Sequence, residues 1–185
     1  MSRPPKFDLF RWTLALAALT ALTSVQATTL EQLSLASMTR QSTAIVRARV
    51  IGSANVVRGG SAYTQYRLEL AEVWKAAGRA PVEVAVPGGV VKGLRQVVSG
   101  APVLEAGREY VLFLWTSPRG VTQIMGLSQG LFFVDGQAVV RAATNERMLD
   151  AAGQPVRDTA LRFQVPELKA QVMLAGGGLA GGGRK

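Results

Sequence analysis

Tyr110-Val111-Leu112-Phe113-Leu114-Trp115 sets six apolar or aromatic residues in a row. A strand built from them has no face that water would tolerate, so both sides must be covered. Glu105-Ala106-Gly107 and Ser117-Pro118 bound the run and leave it too short for a buried helix. The sequence therefore predicts a central strand with protein packed on both faces.

The chain opens with a basic leader of Arg3, Lys6 and Arg11, then an apolar run from Trp12 to Leu22, then the small residues around Val25-Gln26-Ala27. That order predicts a secretory signal peptide over residues 1–27. The apolar run is shorter than the ~20 residues of a spanning helix. No transmembrane segment is expected after cleavage, and the mature chain is expected to be secreted or periplasmic. The sequence has no cysteine, so stability in an oxidising compartment must come from packing rather than disulfides. Removing residues 1–27 takes away three bases and one acid from a net charge of +9, leaving +7. Excess positive charge favours anionic surfaces, although these bases are scattered and also serve solubility.

Thr29-Leu30-Glu31-Gln32 has the form of a capping box and predicts a short helix to about Arg40, with Leu30, Leu33 and Met38 buried. From Ala44 the period becomes two: Val46, Ala48 and Val50 point one way, Ile45, Arg47, Arg49 and Ile51 the other. Arg58-Gly59-Gly60-Ser61 turns the chain into a second strand. There Tyr66, Leu68 and Leu70 oppose Tyr63, Gln65, Arg67 and Glu69. A third strand is expected over residues 82–86. Residues 88–106 read as a long irregular connection, of a kind that is often functional but also suits a crossing over one barrel end. Strands are expected at Val121 to Met125 and on both sides of Asp135-Gly136, a two-residue hairpin turn. Residues 143–163 read as irregular. Pro166 suits the start of a helix with Leu168 and Val172 on its apolar edge, ending at Gly176. The expected organisation is a leader over 1–27, one β-barrel domain over 28–175, and a disordered glycine-rich tail over 176–185. The fold class is mainly β: a small antiparallel barrel with a short N-terminal helix and a C-terminal helix.

Histidine is absent as well. Gly126-Leu127-Ser128-Gln129-Gly130 matches the G-x-S-x-G pattern of a nucleophile elbow, but a serine needs a base to take its proton. The elbow also needs a strand running into a helix, whereas Leu131-Phe132-Phe133-Val134 continues as strand. The glycines are read as a bend or bulge. None of Lys75, Lys92, Lys169 and Lys185 sits in a serine–lysine motif. With neither imidazole nor thiolate, zinc and copper sites are not expected, and the scattered acids form no calcium loop. No catalytic residue, metal or cofactor is expected.

The segments Ser42 to Val50, Tyr66 to Lys75, Val82 to Gly89 and Leu104 to Leu114, in that order after a helix, resemble a family of bacterial secreted proteins. More distantly they are similar to the netrin-like module of the tissue inhibitors of metalloproteinases. That module has a strand of the form V-x-K-V-[FW]-K and a later G-x-x-Y-L strand; here Val73-Trp74-Lys75 and Gly107-Arg108-Glu109-Tyr110-Val111 stand in those places. The resemblance covers roughly residues 31–136 and implies an OB-like five-stranded barrel. It carries no inhibitory residue, because those inhibitors act through an N-terminal cysteine and are stapled by disulfides.

Two functional readings follow. One is a non-catalytic interaction module whose partner is a protein at the cell envelope or outside the cell. The other is an OB-like barrel that binds an anionic polymer, polysaccharide or nucleic acid, through Arg47, Arg49, Tyr63 and Arg67 on the polar face of the first hairpin. The same residues also read as a solvated face, with Arg67 and Glu69 partnering neighbours across the sheet.

Overall fold

The computed structural model describes residues 29–177; the expected leader, and the tail from residue 178 onward, lie outside them. In chain order the elements are β1 (Thr29–Glu31), α1 (Leu35–Gln41), β2 (Ala44–Arg58), β3 (Ser61–Ala76), β4 (Glu83–Pro87), β5 (Gly89–Val91) and β6 (Leu94–Gln96). Then come β7 (Glu109–Thr116), β8 (Thr122–Ile124), β9 (Leu131–Asp135), β10 (Ala138–Arg141), β11 (Arg147–Leu149), β12 (Pro155–Val156), β13 (Leu161–Gln164) and α2 (Val165–Gly177). The protein is mainly β, with antiparallel pairing throughout its main sheet. No helix among the described residues is long and apolar enough to cross a membrane.

The main sheet has the order β13-β10-β9-β7-β2-β3-β4, and β8 pairs with the far half of β7. The central run is β7, and its two faces separate cleanly by residue parity. Tyr110, Leu112 and Leu114 join Val46, Ala48, Val50, Tyr66, Leu68, Val84 and Val86 on one side. Val111 and Phe113 join Ile45, Trp74, Phe132 and Val139 on the other, where Met38 of α1 and Leu168 and Val172 of α2 cover them. Both sides are dry because the sheet curls over one cluster and the helices lid the other. Trp115, expected inside with its neighbours, is 40% exposed, since it lies past the end of that cover.

Several local expectations are corrected. Thr29–Glu31 is a strand, paired in parallel with β11, so no capping box forms there. The helix begins later, at Leu35, where the Ser34 hydroxyl accepts from the Ser37 N–H at 3.1 Å. Its far end is held by Lys75, whose ammonium donates to the Thr39 and Arg40 carbonyls at 2.6 and 3.0 Å. Residues 88–106 contain the β5–β6 hairpin, and residues 143–163 contain β11, β12 and most of β13. β11 and β12 join β1 in a small second sheet. Gly176 and Gly177, assigned to the tail, are the last residues of α2.

β4 and β8 lie at opposite ends of the path β8-β7-β2-β3-β4. Their Cα atoms approach within 8 Å, but no ladder joins them among the described residues.

Candidate functional site

The predicted polar residues do lie along the outer side of the β2–β3 hairpin, yet the structure does not gather them. Tyr63 stands opposite Val56, nine residues along β2 from Arg47. At ~3.3 Å per residue that is nearly 30 Å. Arg47 is engaged by carboxylates from both flanking strands. Its Nη1 donates to Glu72 Oε1 at 3.0 Å and its Nε to Glu109 Oε1. Register explains this: Glu72 pairs with Arg47 on β3, and Glu109 pairs with Arg49 on β7, diagonal to Arg47. Arg49 itself lies 3.9 Å from Glu109. Arg49 and Arg67 both stand exposed, and Arg67 is paired in register with Glu83 of β4.

The Glu72 carboxylate also ties α2 to the sheet. It accepts from Lys169 Nζ at 2.6 Å and from Trp74 Nε1 at 3.1 Å. The Lys169 bond, then the indole N–H and Arg47, hold its pKa at about 2, against 4.5 for a free glutamate. The folded value is depressed, so the stabilisation is complete above about pH 4.5 and is lost as pH falls toward 2, where the unfolded chain binds the proton first. Glu72→Gln is therefore expected to flatten the acid limb of stability in that window. The check is the urea midpoint measured against pH for both proteins; parallel limbs would refute it.

A groove opens where β4 and β8 fail to close. It has a volume of about 210 Å3 and is lined by Arg58, Gln65, the Pro81-to-Glu83 segment, Ala85, and Gly120, Val121 and Thr122. Gln65 ties one wall together, accepting from Arg58 Nη2 at 3.0 Å and donating to Glu83 Oε2. Gln65 and Glu83 also line the adjoining cleft of about 340 Å3 that holds Arg67.

Hydrogen-bond phase shows what the two edges present. The Leu68 N–H donates to the Val82 carbonyl at 2.8 Å and the Gly88 N–H to the Ala62 carbonyl at 2.9 Å. Even-numbered residues of β4 thus turn their backbone toward β3, and Glu83 and Ala85 turn theirs toward the groove. Pro87 sits on that same outward phase, where its missing N–H disturbs no ladder. On β8, the Met125 N–H donates to Phe113 and the Val121 carbonyl accepts from Ser117, so Thr122 and Ile124 face β4. Two strand edges turn their outward backbone groups toward each other across a groove, and no ladder joins them among the described residues.

The Gly126-to-Gly130 segment is a tight excursion between β8 and β9, not a strand-to-helix elbow. The Gly130 N–H donates to the Met125 carbonyl at 2.9 Å, and Gly126 and Leu127 both take positive φ angles. Its buried side chain is that of Gln129, which accepts from the Leu33 N–H at 2.8 Å and donates to the Glu31 carbonyl at 2.9 Å. Gln129 is a clasp for the first described residues, a role with no local signal.

A third surface lies at the other end of the curled sheet. The β5–β6 hairpin docks on the β2–β3 arm: Gln96 Oε1 accepts from the Ala62 N–H at 2.9 Å. Gly89 lies so close that a Cβ there would meet Asn55 Oδ1 at 2.7 Å. A cleft of about 260 Å3 runs beneath it, walled by Tyr66, Val86, Val90, Val97 and Val103.

Among the described residues no cluster of histidine, cysteine, aspartate or glutamate has metal-site geometry. No protein-family model matches the chain, and no curated protein matches it.

Proposed function

We propose that this chain is a secreted or periplasmic, non-catalytic binding module on an OB-like frame, and that its partner is a protein. The path β8-β7-β2-β3-β4 alternates in direction at every step, so β8 and β4 run parallel across the open seam. An OB-type barrel has this character: five strands in a partly open closure, with ligands taken on the second and third strands and the adjoining turns. Here those elements are β3, β4, the β2–β3 turn at Arg58 and the β7–β8 turn at Gly120, which together line the groove.

The observation that carries a protein partner is Glu83, exposed at the groove end of β4 with its backbone turned away from β3. An extended segment laid along that edge gains main-chain hydrogen bonds, and its alternate side chains enter the groove. A carbohydrate or nucleic acid has no matching ladder.

The test is in-cell photo-cross-linking from Val82 and Val121, on the two groove walls, and from Ala152 in a distant exposed turn. One dominant protein captured at both groove positions and not at Ala152 is the expected result. Capture of no protein from either wall, or the same set from all three positions, would overturn the reading.

A further inference from the structure

We propose that the β5–β6 hairpin and the following loop form a docking surface for an anionic lipid bilayer. Val90, Leu94, Val97 and Val103 are 48%, 78%, 75% and 80% exposed. Val90, Val97 and Val103 rim one cleft, and Leu94 stands at the hairpin end beside the Lys92-Gly93 turn. Lys92 and Gly93 take φ angles of 50° and 77°, the left-handed pair of a two-residue hairpin turn. Leu94 pairs with Val91 and so projects from the hairpin face opposite Val90 and Arg95, which leaves the tip apolar on both faces. Four large apolar side chains so exposed on and beside one hairpin mark an interaction surface.

Charge and composition identify the occupant. Residues 84–104 contain no acid, and their charged groups are Lys92 and Arg95, flanking Leu94. Of the carboxylates bordering this segment, Glu105 is paired with Arg108 at 3.0 Å, and Glu146 accepts from Ser99 Oγ at 2.8 Å. Protein-binding patches centre on aromatic anchors and are depleted in lysine. The exposed apolar side chains of this surface are all aliphatic, with a lysine at the hairpin tip. Bases beside short aliphatic side chains suit shallow insertion under anionic headgroups, where burial of the apolar groups and attraction of the bases add. The hairpin is already fixed to the β2–β3 arm through Gln96, so little ordering opposes insertion. This surface is separate from the β4–β8 groove and stands whether or not a protein binds there.

The test is co-sedimentation of the chain from Thr28 to Lys185, which contains every described element, with vesicles. Phosphatidylcholine vesicles are compared with vesicles that also contain phosphatidylglycerol. Binding is expected to the anionic vesicles, weakening as salt rises. Leu94→Glu should reduce it at least tenfold, and neutralising Lys92 or Arg95 by about fivefold each. Leu174→Glu is the matched control: Leu174 is 80% exposed, on α2 at the opposite face of the sheet. Its smaller loss separates insertion at the hairpin from adsorption of a basic protein. A Leu94→Trp variant should shift its emission to the blue with anionic vesicles. Equal losses for Leu94→Glu and Leu174→Glu, or no vesicle binding, would overturn the proposal. So would a Leu94-dependent dimer, or a protein captured through Leu94, without vesicle binding.

Discussion

Asp158→Ala is expected to destabilise the fold by about 3–5 kcal/mol, because it leaves a buried guanidinium without its counter-charge. The Asp158 and Arg141 side chains are 1% and 6% exposed. Arg141 Nη2 donates to Asp158 Oδ1 at 2.6 Å and to the Thr159 carbonyl at 2.7 Å, and Asp158 Oδ2 accepts from the Thr144 N–H at 2.9 Å. Arg141 Nε is already buried without a partner, so no reserve of hydrogen bonds compensates the loss. The damage falls on the segment from Thr144 to Asp158, which carries β11 and β12. Replacing both members by apolar residues of similar volume, Arg141→Met with Asp158→Leu, should recover much of the loss, since no charge is then stranded. Urea denaturation of the single and double variants measures both effects. An Asp158→Ala protein within about 0.5 kcal/mol of the parent, the range of an ordinary surface substitution, would refute the argument.

Phe113→Ala is expected to cost about 3–5 kcal/mol, the range for deleting a fully enclosed aromatic ring. Phe113 is fully buried in the middle of β7, with its ring 5.7 Å from that of Phe132 and tilted by 46°. Its backbone accepts from Met125 and donates to the Gly130 carbonyl, so the site is clamped from the β8–β9 excursion and cannot collapse inward. Gly130 confirms the tightness: a Cβ there would meet the Phe113 carbonyl at 3.0 Å and the Met125 carbonyl at 2.9 Å. A typical domain has a margin of only ~5–15 kcal/mol, so the variant should unfold at markedly lower denaturant. A loss under about 1 kcal/mol would mean that the cluster beneath the helices repacks, contrary to the rigidity inferred here.

The fold was legible wherever a local pattern was long or emphatic. The run of β7, the alternation of β2 and β3, and the Asp135-Gly136 turn each predicted the element that forms. Elements resting on distant partners were not legible. β1 is three residues long and has no period of its own; it is a strand because β11 pairs with it. β5, β6, β11 and β12, of two or three residues each, are as silent. The capping box at Thr29 competed with that pairing, and the real cap, Ser34, lacks the Glu or Gln three residues on that marks a box. At the candidate sites, arginines were visible but their counter-ions were not. Glu72 and Glu109 flank Arg47 only through the register of three strands. The groove was invisible for the same reason, since it depends on two strand ends that approach without pairing. The 88–106 segment was flagged by its length, while its exposed valines looked in sequence like any other apolar positions.

The ladder between β1 and β11 also governs the order in which the molecule can be completed. Thr29 to Glu31 leave the ribosome early, and Arg147 to Leu149 follow only after most of the described chain. Until they arrive, the first strand has no partner, and the Gln129 clasp on Glu31 and Leu33 is itself nearly a hundred residues downstream. Contacts of such high sequence separation form late, after shorter loops have closed. The first described strand therefore stays without its ladder until Leu149 has been made, and its pairing belongs to the late steps of folding.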